Sequence, residues 1–182
     1  MWRKWWMLPL LAVLAACQSM GEPKMMGGAG RVINTDNQTS IVWAKFNGQG
    51  IAGSGGDDCC IEYPAKWQPG MTATVEWMKD PRVGLNADGS KRPRGNLNGS
   101  LSEAEKVWVK AHEAQYTRHA AIVSVPQYNK TCGVTLIFLP CDEARVIIDC
   151  KQYFDVIQTL PGGARRYPEL IRRLGGQQTC RK

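Results

Sequence analysis

Seven cysteines are the residues of this 182-residue chain best placed to do chemistry, and six of them lie beyond residue 50: Cys59, Cys60, Cys132, Cys141, Cys150 and Cys180. An even number of thiols in an oxidising compartment points to disulfides, with 15 possible pairings. Zinc is the competing use, but there is no C-x-x-C pair and His112 and His119 are the only histidines, so no metal site is expected. Strand geometry favours one pairing. Thr131–Leu139 and Ala144–Cys150 are apolar runs joined by Pro140-Cys141-Asp142-Glu143, which suggests an antiparallel hairpin. With Leu139 opposite Ala144, Cys132 and Cys150 fall one position out of direct opposition, close enough to bridge. Cys141 cannot replace Cys132, because nine extended residues, roughly 30 Å, separate it from Cys150. Cys59 and Cys60 are adjacent and could bridge each other only through a strained eight-membered ring. One of them is therefore expected to reach a distant partner, with Cys141 and Cys180 available.

The seventh thiol, Cys17, has a different setting. Arg3 and Lys4 precede about a dozen apolar residues ending Leu14-Ala15-Ala16-Cys17. Charge, a short apolar run and small residues before a cut site are the order of a secretory signal, too short to span a bilayer as an ordinary helix. The last four residues resemble the lipobox of bacterial lipoproteins, which implies cleavage after residue 16 and acylation of Cys17. Several acyl chains at about 0.8 kcal/mol per buried CH₂ form a durable anchor. Gln18 rather than Asp follows the cysteine, which by the same resemblance implies the periplasmic face of the outer membrane. Residues 17–30 are rich in Gly and Met and read as a flexible tether. No cofactor is expected beyond the covalent lipid.

An enzyme needs a nucleophile, a base and an orienting group within mutual reach. No G-x-S-x-G elbow is present, the Gly53-Ser54-Gly55-Gly56 loop has no GK[ST] ending, and neither histidine sits in a recognisable catalytic motif. A non-enzymatic protein is the expectation. After residue 16, 21 basic residues stand against 16 acidic ones, a net charge of +5. That excess suits a solvated surface, an acidic protein partner or anionic headgroups. No stacking-aromatic motif for nucleic acid is present.

These residues need a scaffold, and periodicity supplies one. Arg31–Ile33, Ser40–Phe46, Met71–Trp77, Ala120–Val125, Gly133–Leu139 and Ala144–Asp149 read as strands. In the second, alternation puts Ile41, Trp43 and Lys45 on one face and Val42, Ala44 and Phe46 on the other. Ser102-Glu103-Ala104-Glu105 is a capping box opening a helix to about Glu113, with Val107, Trp108 and Ala111 as its apolar stripe. Pro168 to Leu174 suggests a closing helix. The prediction is a mainly β (α+β) single domain over 31–182, an antiparallel sheet or sandwich with one or two short helices.

Two features invite a partner. Lys79–Ser100 has almost no apolar content and many turn residues, so it is expected to be a long mobile surface loop carrying Arg82, Lys91, Arg92 and Arg94. Trp67, between Pro64 and Pro69-Gly70, is either the filling of a structural corner or an exposed aromatic anchor.

One stretch is specific enough to compare. Cys59-Cys60-Ile61-Glu62-Tyr63-Pro64-Ala65-Lys66-Trp67-Gln68-Pro69-Gly70, running on to Trp77, resembles the CC-x₃-P-x₂-W-x-P-G core of the bacterial DUF3304 lipoprotein family. Phe46-Asn47-Gly48-Gln49-Gly50 and Val125-Pro126-Gln127-Tyr128 fit the same pattern, and the likeness covers roughly residues 30–150. Such lipoproteins resemble immunity proteins found beside type VI secretion lipase effectors. The resemblance implies a periplasm-facing protein that binds and inhibits a lipase or phospholipase effector. The alternative is a structural or assembly accessory lipoprotein of the envelope.

Overall fold

The computed structural model describes residues 23–180. The expected signal peptide, the lipidation of Cys17 and the first residues of the tether lie outside that range. Eight strands follow in order: β1 (Met25–Asn34), β2 (Ser40–Phe46), β3 (Gln49–Ala52), β4 (Asp57–Pro64), β5 (Thr72–Asp80), β6 (Thr117–Ser124), β7 (Thr131–Leu139) and β8 (Glu143–Asp149). They form two four-stranded sheets, β4-β1-β7-β8 and β3-β2-β5-β6. Every pairing is antiparallel except β1 with β7. The fold is mainly β (α+β) in a single domain, with three short helices where one or two were expected: α1 (Glu103–Glu113), α2 (Cys150–Tyr153) and α3 (Arg166–Arg173).

The sheets face each other across a core that includes Phe46, Tyr63, Val75, Trp77, Val134 and Leu136. A second cluster, Ile137, Leu139, Ile147, Leu170 and Ile171, lies between the β7–β8 side of the first sheet and α3. The strand directions give the sandwich two ends. Pro23, the 64–71 and 124–130 loops and the start of α2 lie at the near end. The 35–39 loop, the β7–β8 turn and everything between β5 and β6 lie at the far end.

The tether expected to reach residue 30 ends earlier, because β1 starts at Met25. The glycines that suggest a linker are a packing requirement. A Cβ on Gly28 would sit 2.7 Å from the Tyr63 hydroxyl, and one on Gly30 would sit 2.7 Å from Ile61. Glycine here lets a strand lie against buried large side chains.

β2 also departs from simple alternation. Ile41 is buried and Val42 exposed, the reverse of the expected faces, because the β2–β5 pairing shifts between Ile41 and Trp43. One extra residue at such a bulge flips the side chains before it. Asn47-Gly48 joins β2 to β3 with positive φ at both residues, the hairpin turn that matches strand twist.

Candidate functional site

The β7–β8 hairpin brings Cys132 and Cys150 together, but in a register one residue away from the expected one. Leu139 faces Glu143, not Ala144, because the link is three residues, with Cys141 and Asp142 both in the left-handed region. The shift brings Cys150 into line with Cys132. A bulge between Thr131 and Thr135 shifts the pairing again at the base of the hairpin, and the Cα atoms stand 4.8 Å apart in a disulfide. Cys141 pairs with Cys180, Cα atoms 5.2 Å apart, tying the C-terminal segment to the far end. The expectation of a distant partner for Cys59 or Cys60 is corrected, since these two pair with each other on β4.

Trp67 has its place in the structure too. Its indole N–H donates to the Val125 carbonyl at 2.8 Å and its ring packs half-buried against the core. Val125 N–H donates to the Met71 carbonyl, and the Tyr128 hydroxyl donates to the Pro64 carbonyl at 2.6 Å. Pro64, Trp67 and Met71 on one loop are thus fastened to Val125 and Tyr128 on another. Trp67 fills a structural corner and is not a free anchor.

The four basic residues lie in a segment tied to α1 by hydrogen bonds that its composition does not suggest. Residues 81–102 form a strap across the far end, folded back onto α1. Ser102 caps α1, its hydroxyl accepting from Glu105 N–H at 3.2 Å. The other half of the expected capping box is absent, because the Glu105 carboxylate, buried, accepts from Arg92 Nε at 2.8 Å. The buried stripe of α1 is Glu105, Trp108 and His112, while Val107 and Ala111 point to solvent, contrary to the expected 107/108/111 stripe. The strap supplies the reason. It covers the 105/108/112 side, with Trp108 Nε1 donating to the Ser90 carbonyl and Asn86 Nδ2 reaching the Trp108 carbonyl.

The strap unit is joined to the sheet by a buried pair at the end of β5. Asp80 Oδ2 lies 3.0 Å from His112 Nε2, and Asp80 Oδ1 accepts from Arg82 N–H. The imidazole stacks on Trp108, centroids 4.6 Å apart, and meets the edge of Tyr116. Burial, and then the charges of Asp80 and Glu113, push the Tyr116 phenol above its ordinary range. Among the described residues no hydroxyl or thiol bonds to His112, and its Nδ1 is buried without a partner. The pair therefore positions α1. Sequence reasoning took Glu105 only as a capping residue and His112 only as an isolated histidine, and gave Asp80 no role. The available signal was the spacing of 105, 108 and 112 on one helical face, hidden because two of the three residues are polar.

A second ionic cluster closes the far end nearby. Lys79 Nζ lies 2.6 Å from Asp142 Oδ1, His119 Nδ1 lies 3.8 Å from Asp142 Oδ2, and Thr117 Oγ1 lies 2.7 Å from His119 Nε2. The order hydroxyl–imidazole–carboxylate is that of a relay, but 3.8 Å is beyond hydrogen-bond reach. Asp142 is held by Lys79, so this cluster fastens the turn to β5 and β6. Among the described residues no group of three or more His, Cys, Asp or Glu side chains could hold a metal ion.

Arg82, Lys91, Arg92 and Arg94 are therefore not equivalent. Arg92 is paired with Glu105 and the Arg82 guanidinium donates to the Ala87 carbonyl, whereas Lys91 and Arg94 are exposed and make no ion pair among the described residues. Among the described residues, ten large apolar side chains are exposed, and five of them (Val83, Leu85, Leu97, Leu101 and Val107) belong to the strap and α1. The strap–helix unit thus carries both exposed apolar side chains and exposed cationic ones.

Comparison at family level matches residues 33–146 to the family described as "Protein of unknown function (DUF3304)". The chain belongs to the DUF3304 family. No curated protein and no solved structure matched it. The DUF3304 match spans β2 to the start of β8 and so includes the Trp67–Val125 corner, the strap and α1. It ends before Cys150 and Cys180, so two of the three disulfides reach beyond it.

Proposed function

We propose that this DUF3304 protein acts by binding another protein through the strap and α1, and that the partner is a periplasmic lipase or phospholipase effector of type VI secretion. In this reading the protein is an immunity lipoprotein, anchored through Cys17 on the periplasmic face of the outer membrane. It occludes the effector's active-site cleft without catalysis of its own. The observation that carries the binding role is the concentration of five of ten exposed large apolar side chains on residues 83–107, beside unpaired Lys91 and Arg94. Apolar groups on a pre-ordered frame lose little conformational freedom on binding, and rim charges speed encounter. The lipase as partner rests on the family resemblance. An outward strap fits it, because the chain emerges from its N-terminal segment at the opposite end of the sandwich.

The test is inhibition. The purified protein, mixed at equimolar ratio with any lipase encoded beside its gene, should form a stable complex and suppress hydrolysis. Leu97→Asp should weaken the complex by more than tenfold, and Lys91→Glu with Arg94→Glu should slow association, both with unchanged thermal stability. A neighbouring lipase that stays fully active would favour the assembly-accessory role instead.

A further inference from the structure

The near end has a surface chemistry of its own. The 64–71 and 124–130 loops contain no acidic residue and carry exposed Lys66 and Lys130. Lys24 joins them, since its carbonyl accepts from Ala65 N–H at 2.7 Å. Lys130 is fixed to the same end through its carbonyl, which accepts from Cys150 N–H at 2.8 Å. Exposed Met25 and Met26 lie between them at the start of β1. Two acids lie close by: Glu62, exposed on β4 opposite Gly27, and Asp149, which is held by the helix end it caps. Asp149 accepts from Gln152 N–H and Asn129 N–H, which lower its pKa. Lys151 is already paired with Asp155. The far end differs in mixing its charges, with Asp142 and Glu143 paired to Lys79 and Arg145.

We infer that the near end is a membrane-contact face: Lys24, Lys66 and Lys130 rest on anionic phospholipid headgroups and hold the domain with its strap pointing away from the bilayer. Six peptide units separate Cys17 from Pro23, a reach of at most about 20 Å, so a lipid on Cys17 keeps this end within that distance of the surface. Each lysine close to an anionic leaflet contributes about fivefold in partition, an attraction that decays within about 8 Å at physiological salt. Three lysines on rigid loops fix orientation, which one flexible anchor cannot do. Met25 and Met26 supply apolar contact at the boundary. The inference shares the Cys17 anchor with the proposed function and is independent of the effector.

The test is amine footprinting of the protein as isolated, added to vesicles of phosphatidylcholine with or without phosphatidylglycerol. Acylation at each lysine is read by mass spectrometry, and the mass of the N-terminal peptide reports the state of Cys17. On the anionic vesicles, Lys24, Lys66 and Lys130 should react about fivefold more slowly, with Lys91 and Lys106 unchanged, and high salt should abolish the difference. In a Lys24→Gln, Lys66→Gln, Lys130→Gln variant, hydrogen exchange in the 64–71 loop should become the same on both vesicle types. Equal acylation on the two vesicles, or protection of Lys91 as strong as that of Lys66, overturns the inference whatever the N-terminus carries. Neither result bears on effector inhibition, so the two readings fail separately.

Discussion

The carboxamide of Gln49 takes both backbone groups of Glu62, donating through Nε2 to its carbonyl at 2.8 Å and accepting through Oε1 from its N–H at 2.7 Å. β3 and β4 are edge strands of different sheets, so no strand of either sheet pairs with this side of β4. An amide side chain offers one donor and one acceptor, as a peptide unit does. Gln49 therefore stands in for a missing strand and closes the corner where the two sheets meet. Gln49→Ala removes both bonds at a surface site, and about 1–2 kcal/mol of stability should go with them. Gln49→Glu loses the donor and turns a charge toward the Glu62 carbonyl, so it should be no better. Equilibrium denaturation measures both, and an alanine variant as stable as the parent would remove the corner from the account of the fold.

The Trp67 corner leads to a prediction that separates architecture from recognition. Trp67→Phe keeps a ring and loses the bond to Val125, and should cost about 1 kcal/mol. Tyr128→Phe loses the bond to Pro64 and should cost about the same. Neither should change affinity for a partner held at the far end. A Trp67→Phe protein with full stability and weakened binding would return Trp67 to the role of interface anchor.

These residues also mark how much of the protein is legible in the chain. Most strands show as alternating apolar runs, and the Asn47-Gly48 turn and the Ser102 cap show as local chemistry, because each depends only on neighbours a few residues away. β1 is legible only at Arg31–Ile33, since the glycines of its first half have meaning only once Tyr63 and Ile61 are in place against them. The bulge that reverses Ile41 and Val42 leaves no mark on composition. The strap fails for the same reason. Its order comes from Trp108, Glu105 and His112, all beyond its own sequence, so a stretch of turn residues without apolar period reads as mobile. The basic residues were findable as a group, but which of them are free depends on partners that only the fold supplies.

The strap should resist proteolysis in the folded protein and lose that resistance when its buried pair is broken. His112→Ala leaves the Asp80 carboxylate buried without its imidazole. Leaving a buried polar group without a hydrogen-bond partner costs about 1–3 kcal/mol. Trypsin should then cut after Lys91 or Arg94 while the sandwich stays intact. Rapid cutting at those sites in the unaltered protein would show that the strap is mobile.

Peptide mapping without reduction should recover Cys59–Cys60, Cys132–Cys150 and Cys141–Cys180. The last closes the longer loop, 39 residues against 18 for Cys132–Cys150. On chain-entropy grounds its loss should cost about 4 kcal/mol, against about 3 for the other. The Cys141→Ser, Cys180→Ser protein should accordingly unfold at lower denaturant than the Cys132→Ser, Cys150→Ser protein. A mapped link from Cys59 or Cys60 to any other cysteine would contradict the β4 arrangement.

The pH response should come from α3. Glu169 accepts hydrogen bonds from Arg172 and Arg173, first from Arg172, and these hold its carboxyl down to about 2. Arg173 in turn reaches the Asp155 carbonyl at 2.8 Å and the Thr159 hydroxyl at 2.6 Å, so Glu169 steadies the guanidinium that ties α3 to the segment before it. The folded pKa lies below the unfolded value of about 4.3. The stabilisation is therefore complete above about 4.3 and is lost as the pH falls from there through 2. Carbon-detected NMR should place the Glu169 midpoint near 2, and hydrogen exchange in α3 should rise over the same window. Glu169→Gln should remove the α3-specific part of that response while leaving the sheets unchanged. A Glu169 midpoint at an ordinary carboxylate value would show that the two arginines do not hold it in solution, and α3 would then need another explanation for its docking.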